Sequence, residues 1–316
     1  MIVGVGTMFD DAVLTLPVES TRVALKCLAA SSAWDLAAVL TLPVTLGHRH
    51  SDFVDLSGDA AALATRLVTV SNINAQSSLE LIEDLAPDYI FVIGWSQLCG
   101  ARVQASAPGG LIGFHPAPLP RLRGRAIIPW TILLDEPISA STLFRIDDGV
   151  DSGPILAQRF FHVASDETAE SLYAKHMMML AEILPPMLIE LAHGRAPGVP
   201  QDERYSSYGT RRRPEDARID WTAPVDDIWR MVRACGAPYP GAWTILNDSK
   251  VVIAAAHPVS LSRYRASMPG QIVERTDSSF TVRCGDDGGL QVTQWSCPAD
   301  GALPVHAILG RESMTR

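Results

Sequence analysis

An apolar run, Leu111–Phe114, stops abruptly at His115 and is followed by the Pro- and Arg-rich loop PAPLPRLRGR. From 115 to 151, an interval of 36 residues, the chain passes a second strand pattern and reaches the acidic, glycine-punctuated loop DDGVDSG, which carries Asp151. A buried strand that presents a His at its end, with a carboxylate offered by a neighbouring loop, suits proton transfer. An imidazole with a pKa of about 6.5 exchanges protons in both directions near neutral pH. Taken alone, His115 reads as a residue packed at a strand end beside a solvated acidic turn. The surrounding pattern reverses that preference.

The elements that must position these residues alternate over residues 1 to about 190. Ile2–Val5, Ala37–Leu42, Val68–Val70, Tyr89–Ile93 and Leu111–Phe114 are short apolar runs of the kind buried on both faces of a parallel sheet. Ser141–Ile146 and Ile155–Phe161 predict a strand pair flanking the Asp151 loop. The Ser77-x-x-Glu80 spacing predicts a helix start with a capping box, and Ala169–Leu191 carries a strong helical signal. This alternation implies a doubly wound, mostly parallel α/β sheet with its site at the carboxyl ends of the strands. His115, the Gly94-Trp95-Ser96-Gln97 turn and the Ser71-Asn72-Ile73-Asn74 turn each follow an apolar strand and therefore share one rim. Residues 196–216 are polar and turn-rich and read as a linker between a domain at 1–195 and another at 217–316. Beyond it come a helix, Val225–Ala234, and strands at Trp243–Leu246, Val251–Ala256, Gln271–Val273, Phe280–Cys284 and Leu290–Gln294, suiting a small β-barrel.

Bulk properties narrow the function classes. With 316 residues, 47% hydrophobic and 19% charged, the chain can bury a large core and form two domains. The net charge of −9 argues against nucleic acid as a partner, because such proteins concentrate Lys and Arg to displace counterions. The one dense basic run, Arg211-Arg212-Arg213, is followed at once by Glu215 and Asp216 and reads as a solvated segment. Cys27, Cys99, Cys235, Cys284 and Cys297 are odd in number and scattered, so we expect buried thiols in a reducing cytoplasm and no metal. MIVGVGTMF reads as a strand rather than a signal peptide, and no run reaches membrane-spanning length, so no membrane partner is expected. Gly4-x-Gly6 is half of a dinucleotide fingerprint, with Phe9 where the third glycine belongs, and NAD binding is rejected. His48-Arg49-His50 lacks a carboxylate at metal spacing and reads as surface, and no GxSxG, P-loop or HExxH occurs.

HPxxLPxxRGRAxxPW followed by DxGVDSGPILAQ resembles the folate-dependent formyltransferases. IDWTAPVDDIWRMVRACGAPYPGAW is similar to the start of their C-terminal, OB-like domain. The resemblance implies N10-formyltetrahydrofolate as co-substrate, transfer of its formyl group to an amine, and His115 and Asp151 as catalytic residues. The family's Asn, two residues before the His, is Gly113 here. Gly113 has no amide to donate to the formyl oxygen, and losing one oxyanion donor costs roughly 10²–10³ in rate. Asn74, Asn72, Ser96 and Gln97 lie on the same rim, and Asn74 is the first choice as substitute; a backbone N–H beside Gly113 is the alternative. For the folate, the resemblance implies the loop of Trp95, Ser96, Gln97, Leu98 and Cys99 on one side and Asp147, Asp148, Gly149 and Val150 on the other. Trp95 reads equally as pocket wall or core. Arg123 and Arg125 match the family's RG segment and either contact substrate or brace the loop.

The acceptor is expected to be a small-molecule amine. The GWSQL, GRAxxPW and APYPGAW segments resemble the sugar N-formyltransferases most, which implies a nucleotide-linked amino sugar and a homodimer. The Gly-Phe-His variant keeps an N-hydroxyornithine acceptor of the siderophore type open. Further alternatives are methionyl-tRNA and an inactive folate-binding relative.

Overall fold

A computed structural model of the chain describes residues 10–15, 18–45, 54–95, 97–297 and 303–311, with residues 10–15 described by their backbone alone. The expected strand at Ile2–Val5, the Gly4-x-Gly6 pair, His48-Arg49-His50 and Ser96 lie outside these residues. The chain divides into two compact units. Unit 1 comprises residues 1–127, 138–162 and 173–210, and unit 2 comprises 128–137, 163–172 and 211–316.

Unit 1 is built on β1 (Asp10–Thr15), β2 (Asp35–Thr41), β3 (Arg66–Thr69), β4 (Tyr89–Ile93), β5 (Leu111–His115), β6 (Arg123–Gly124), β7 (Ile138–Arg145), β8 (Ile155–His162) and β9 (Tyr208–Gly209). Helices α1 (Glu19–Ala29), α2 (Ser57–Ala62), α3 (Gln76–Leu85) and α4 (Ala101–Ala105) alternate with the first strands; of the two that follow, α5 (Ile127–Leu133) lies in unit 2 from residue 128 on, and α6 (Ala169–Ala192) lies in unit 1 from residue 173 on. The main sheet runs β3-β2-β1-β4-β5-β7-β8, parallel from β3 to β5 and antiparallel from β5 to β8. Successive side chains alternate between faces, as a strand requires. Val39, Phe91, Ile93, Ile112 and Leu143 enter a core with Leu25 and Leu28 of α1 and Leu180 and Leu184 of α6. Ala38, Leu40, Ile90, Val92 and Leu111 enter a second core with Leu79 and Ile82 of α3 and Val103 of α4. Both faces are thus buried, which is why the strands read as unbroken apolar runs.

Two readings need correction. Helix α3 begins at Gln76 and is preceded by Ala75, which offers no side-chain cap, so Ser77 lies within the helix and forms no capping box. Gln76 instead donates to Glu80 Oε1, 2.9 Å away, one turn on. The expected linker is not free chain. Residues 196–210 belong to unit 1, where Val199 exchanges backbone hydrogen bonds with Ile155 and β9 pairs in parallel with β6; residues 211–216 belong to unit 2.

Unit 2 carries α7 (Val225–Cys235) and strands β10 (Ala242–Leu246), β11 (Ser249–Ser260), β12 (Ile272–Arg275), β13 (Phe280–Arg283) and β14 (Gly288–Ser296). These form an antiparallel sheet in the order β10-β11-β14-β13-β12. Closure into a barrel is not among the strand pairings of the described residues. The inward face of α7, with Ile228, Val232 and Cys235, is buried, and the helix packs on β10, β11 and β14. Among the described residues no helix is long and apolar enough to cross a membrane.

Candidate active site

His115 ends β5 with only 6% of its surface exposed. Its Nε2 lies 2.8 Å from the Leu122 carbonyl oxygen. A carbonyl only accepts, so Nε2 carries the hydrogen and Nδ1 is the nitrogen free to take up a proton. Nδ1 faces Asp151 Oδ2 across 3.6 Å. The same carboxylate oxygen accepts the Gly124 N–H at 2.7 Å. The structure therefore joins the two residues the sequence singled out, and it orients the ring so that its exchangeable nitrogen looks at the acid.

Strands β7 and β8 hold the loop after His115 in place. Thr142, opposite His115 in the ladder, donates its hydroxyl to the Ala117 carbonyl at 2.6 Å. Gln158, opposite Thr142, donates to the Leu119 carbonyl at 3.0 Å and to Thr142 Oγ1 at 2.8 Å. Gly124 has φ +96°, and a Cβ there would stand 2.6 Å from the Gly209 carbonyl oxygen. Only glycine allows β6 to approach β9 this closely while aiming its N–H at Asp151.

Gly113 is buried, and a Cβ on it would lie 2.7 Å from Cε1 and Cζ of Phe144, its ladder partner. The aromatic ring fills the space a side chain at 113 would enter, so Phe144 takes up the volume that the glycine leaves. Asn74 has a bracing role: its Nδ2 donates to the Leu98 carbonyl at 2.9 Å and its Oδ1 accepts the Gly100 N–H at 2.7 Å. No hydrogen bond or ion pair connects it to His115 or Asp151. Asn72 accepts the Asn74 N–H, and Gln97 is anchored by its own amide to Ile73 N and Ser71 O.

The two loops expected to hold folate are tied together by a residue that sequence reasoning missed. Gln104 of α4 donates through Nε2 to the Cys99 carbonyl at 2.8 Å and to the Asp147 carbonyl at 3.2 Å. Burial pushes the Cys99 thiol up to about 12, so it stays protonated near neutral pH. Asp147 Oδ1 accepts from Gly149 N and Ser152 Oγ, and this closes the acidic loop into a tight turn below Asp148 and Val150. Trp95 is half-buried, packed against Val18 and Leu42, which makes it largely core.

Of the two roles open to Arg123, the geometry favours bracing. It is 1% exposed and saturated by Gln201, Glu203 and Tyr208, so it braces the loop and does not contact substrate. The Glu203 hydrogen bonds push the guanidinium above its ordinary value, and the same hydrogen bonds from Arg123 hold Glu203 below the usual carboxylate range. Arg125 is exposed, and its guanidinium has no hydrogen bond or ion pair among the described residues. Gln201 was missed because it lies in a stretch whose polarity suggested a linker. A hydrophobic-period signal cannot find such a residue.

Among the described residues no group of three or more His, Cys, Asp or Glu could hold a metal ion. A cavity of about 540 Å³ in unit 2, lined by Arg218, Asp220, Trp221, Met268, Leu309 and Arg311 among others, contains none of the expected site residues. Its one carboxylate, Asp220, accepts from the Thr222 N–H and hydroxyl through Oδ1.

Comparison with known proteins identifies the family. Residues 54–188 match the family model described as formyl transferase, and residues 212–311 match that of the formyl transferase C-terminal domain. Among solved structures, the fold is similar to WlaRD, a sugar 3N-formyl transferase studied with dTDP and 5-N-formyl-THF. The two are 19% identical with a TM-score of 0.66, over 91% of this chain and 98% of that one. It is equally similar to an N-formyltransferase from Helicobacter canadensis in complex with folinic acid and dTDP-3-aminofucose (17% identity, TM-score 0.65, 90% and 99% covered). HypX from Aquifex aeolicus with tetrahydrofolic acid matches at 19% identity and TM-score 0.65 over 92% of this chain. This chain spans less than half of HypX, 44% of its length. With both its N-terminal and C-terminal domains matched, the chain belongs to the formyl transferase family.

Proposed function

We propose that this protein transfers the formyl group of N10-formyltetrahydrofolate to the amine of a small molecule, a nucleotide-linked amino sugar. The observation that carries the reading is His115, locked as a donor at Nε2 by Leu122 and open at Nδ1 towards Asp151. In this reaction the neutral amine attacks the formyl carbon, a C–N bond forms, and the bond to N10 breaks. One proton leaves the attacking nitrogen and one arrives on N10. His115 takes the first and returns it, and Asp151 stabilises the imidazolium between the two steps.

The folate site consists of the loops at 95–99 and 147–150. The main-chain N–H groups of Leu98 and Cys99 have no partner among the described residues and are available to a heterocycle edge. Gly113 removes the family's usual amide donor, and Phe144 excludes a substitute side chain from that position, so the formyl oxygen is served by His115 or a main-chain N–H. Arg125, next to the Gly124 that holds Asp151, is an unpaired cation suited to an anionic acceptor. The sugar acceptor draws support from two relatives, matched along most of their length, whose structures hold dTDP in one case and dTDP-3-aminofucose in the other. Methionyl-tRNA is disfavoured by the net charge of −9, and within the basic run Arg212 is already engaged by the Trp130 ring and the Asp216 carbonyl.

The test is an acceptor panel: dTDP-linked 3- and 4-amino sugars, N-hydroxyornithine and methionyl-tRNA, each with N10-formyltetrahydrofolate, products read by mass spectrometry. Formylation of an amino sugar at a kcat/KM at least tenfold above the other acceptors is expected. Preference for N-hydroxyornithine or methionyl-tRNA would replace the sugar reading, and folate binding without turnover on any amine would refute the enzyme reading.

A further inference from the structure

We propose that Gln201 is a positioning residue for Asp151, and that Arg123 acts on the site through it. The inference rests on the reading of His115 and Asp151 as the proton-transfer pair. Asp151 stands at φ +51°, in the left-handed region that residues with a side chain seldom adopt and that aspartate enters chiefly when local hydrogen bonds hold it. Something must hold it there. Its carboxylate is held by the Gly124 N–H at 2.7 Å, and its main-chain carbonyl accepts from Gln201 Nε2 at 2.8 Å.

The same Nε2 donates its second hydrogen to the Gly153 carbonyl at 2.7 Å, so one carboxamide spans the turn on which Asp151 sits. On its other side Gln201 Oε1 accepts from Arg123 Nε at 3.1 Å and Nη2 at 2.8 Å. A carboxamide has two N–H donors and two lone pairs, and here all four are used. Arg123 is fixed in turn by Glu203, at 2.9 and 2.6 Å, and by the Tyr208 hydroxyl at 3.2 Å. Gly153 leaves the turn no slack, because a Cβ there would meet the Arg145 carbonyl oxygen at 1.8 Å.

Both ends of Asp151 are therefore anchored to two adjacent residues of β6. Gly124 grips the carboxylate directly and Arg123 grips the backbone through Gln201. Without Gln201 the Asp151 and Gly153 carbonyls lose their donor, and the turn can relax away from its left-handed conformation. The carboxylate then moves off Nδ1 of His115. A shift of about 1 Å in such a group lowers turnover by up to roughly 100-fold.

A purely structural Gln201 would also lower activity, so the test is coupling to Asp151. Gln201→Ala and Gln201→Glu are each made alone and on Asp151→Asn; the glutamate keeps the volume and the Arg123 contact but loses both donors. Each single variant is expected to lower kcat by about 10- to 100-fold, with KM for folate and amine changed less than about twofold. On Asp151→Asn, either Gln201 change adds less than a twofold loss. The proposal is overturned if the Gln201 changes cost the same factor in both backgrounds, or if Gln201→Glu keeps wild-type kcat. If Asp151→Asn itself retains wild-type turnover, the catalytic reading fails, which is a different outcome.

Discussion

At the scale of single residues the account stands on His115 and Asp151, joined by their hydrogen-bond partners Leu122 and Gly124. His115→Ala and Asp151→Asn are each expected to lower kcat by about 10²–10⁴ while folate binding, measured by calorimetry, changes little. Gly113→Asn, which restores the family's amide, should not raise the rate. The new side chain meets the Phe144 ring, so overpacking costs about 1–3 kcal/mol in denaturant titration. A Gly113→Asn variant that is stable and faster would show that the ring does not occupy that space. His115 and Asp151 were legible in the sequence because a polar residue interrupting a buried strand, and an acid in a glycine-rich loop, leave local signatures. The tasks of Asn74 and Arg123 were not. Which carbonyl or carboxylate meets a rim side chain depends on loops distant in the chain, such as Leu98 for Asn74 and Gln201 for Arg123.

At the scale of elements, Gln104 and Asn74 clamp the loop after β4, and Gln104 ties it to the Asp147 loop. Gln104→Ala removes two hydrogen bonds outside the reacting groups. Its expected effect is a roughly five- to tenfold rise in KM for the folate with kcat within about twofold, read from steady-state kinetics. Helix α6 presses His176 against β7, where Ser141 Oγ meets its Nδ1 at 2.9 Å. Burial, and secondarily the charge of His115, lowers His176 to about 3. The unfolded imidazole binds a proton at about pH 6.5 and the folded one does not, so the unfolded state gains protons first on acidification. Stability is therefore full above about pH 6.5 and falls as the pH drops, by roughly 2 kcal/mol at pH 5. Replacing His176 with Gln should flatten that slope in urea titrations at pH 7 and pH 5; an unchanged slope would contradict it. Strands β4 and β5 were readable from their apolar runs, since burial on both faces leaves no ambiguity. The start of α3 was not, because Ser77 has the right spacing for a cap and yet Ala75 precedes the first turn.

At the scale of the whole molecule, two units carry the two domains of the family, a seven-stranded α/β sheet and a five-stranded antiparallel sheet. The alternation of periods along the chain made most of both sheets legible, but not β1 at Asp10–Thr15, where no strand was expected. The boundary was harder to read: residues 196–210 look like linker in composition, yet their polar side chains bind Arg123 and Asp151 within unit 1. Polar residues committed to internal hydrogen bonds have the same composition as solvated ones, and only the fold separates them. In the proposed reaction His115 moves the proton while the formyl group passes from folate to amine. A single-turnover experiment with formyl-labelled N10-formyltetrahydrofolate and a dTDP-linked amino sugar, comparing wild type with His115→Ala, tests it most directly. Label on the amine nitrogen and an equal amount of tetrahydrofolate are expected for wild type, and at least a 100-fold slower transfer for the variant at equal folate occupancy. Transfer at the wild-type rate by His115→Ala would contradict that role of His115.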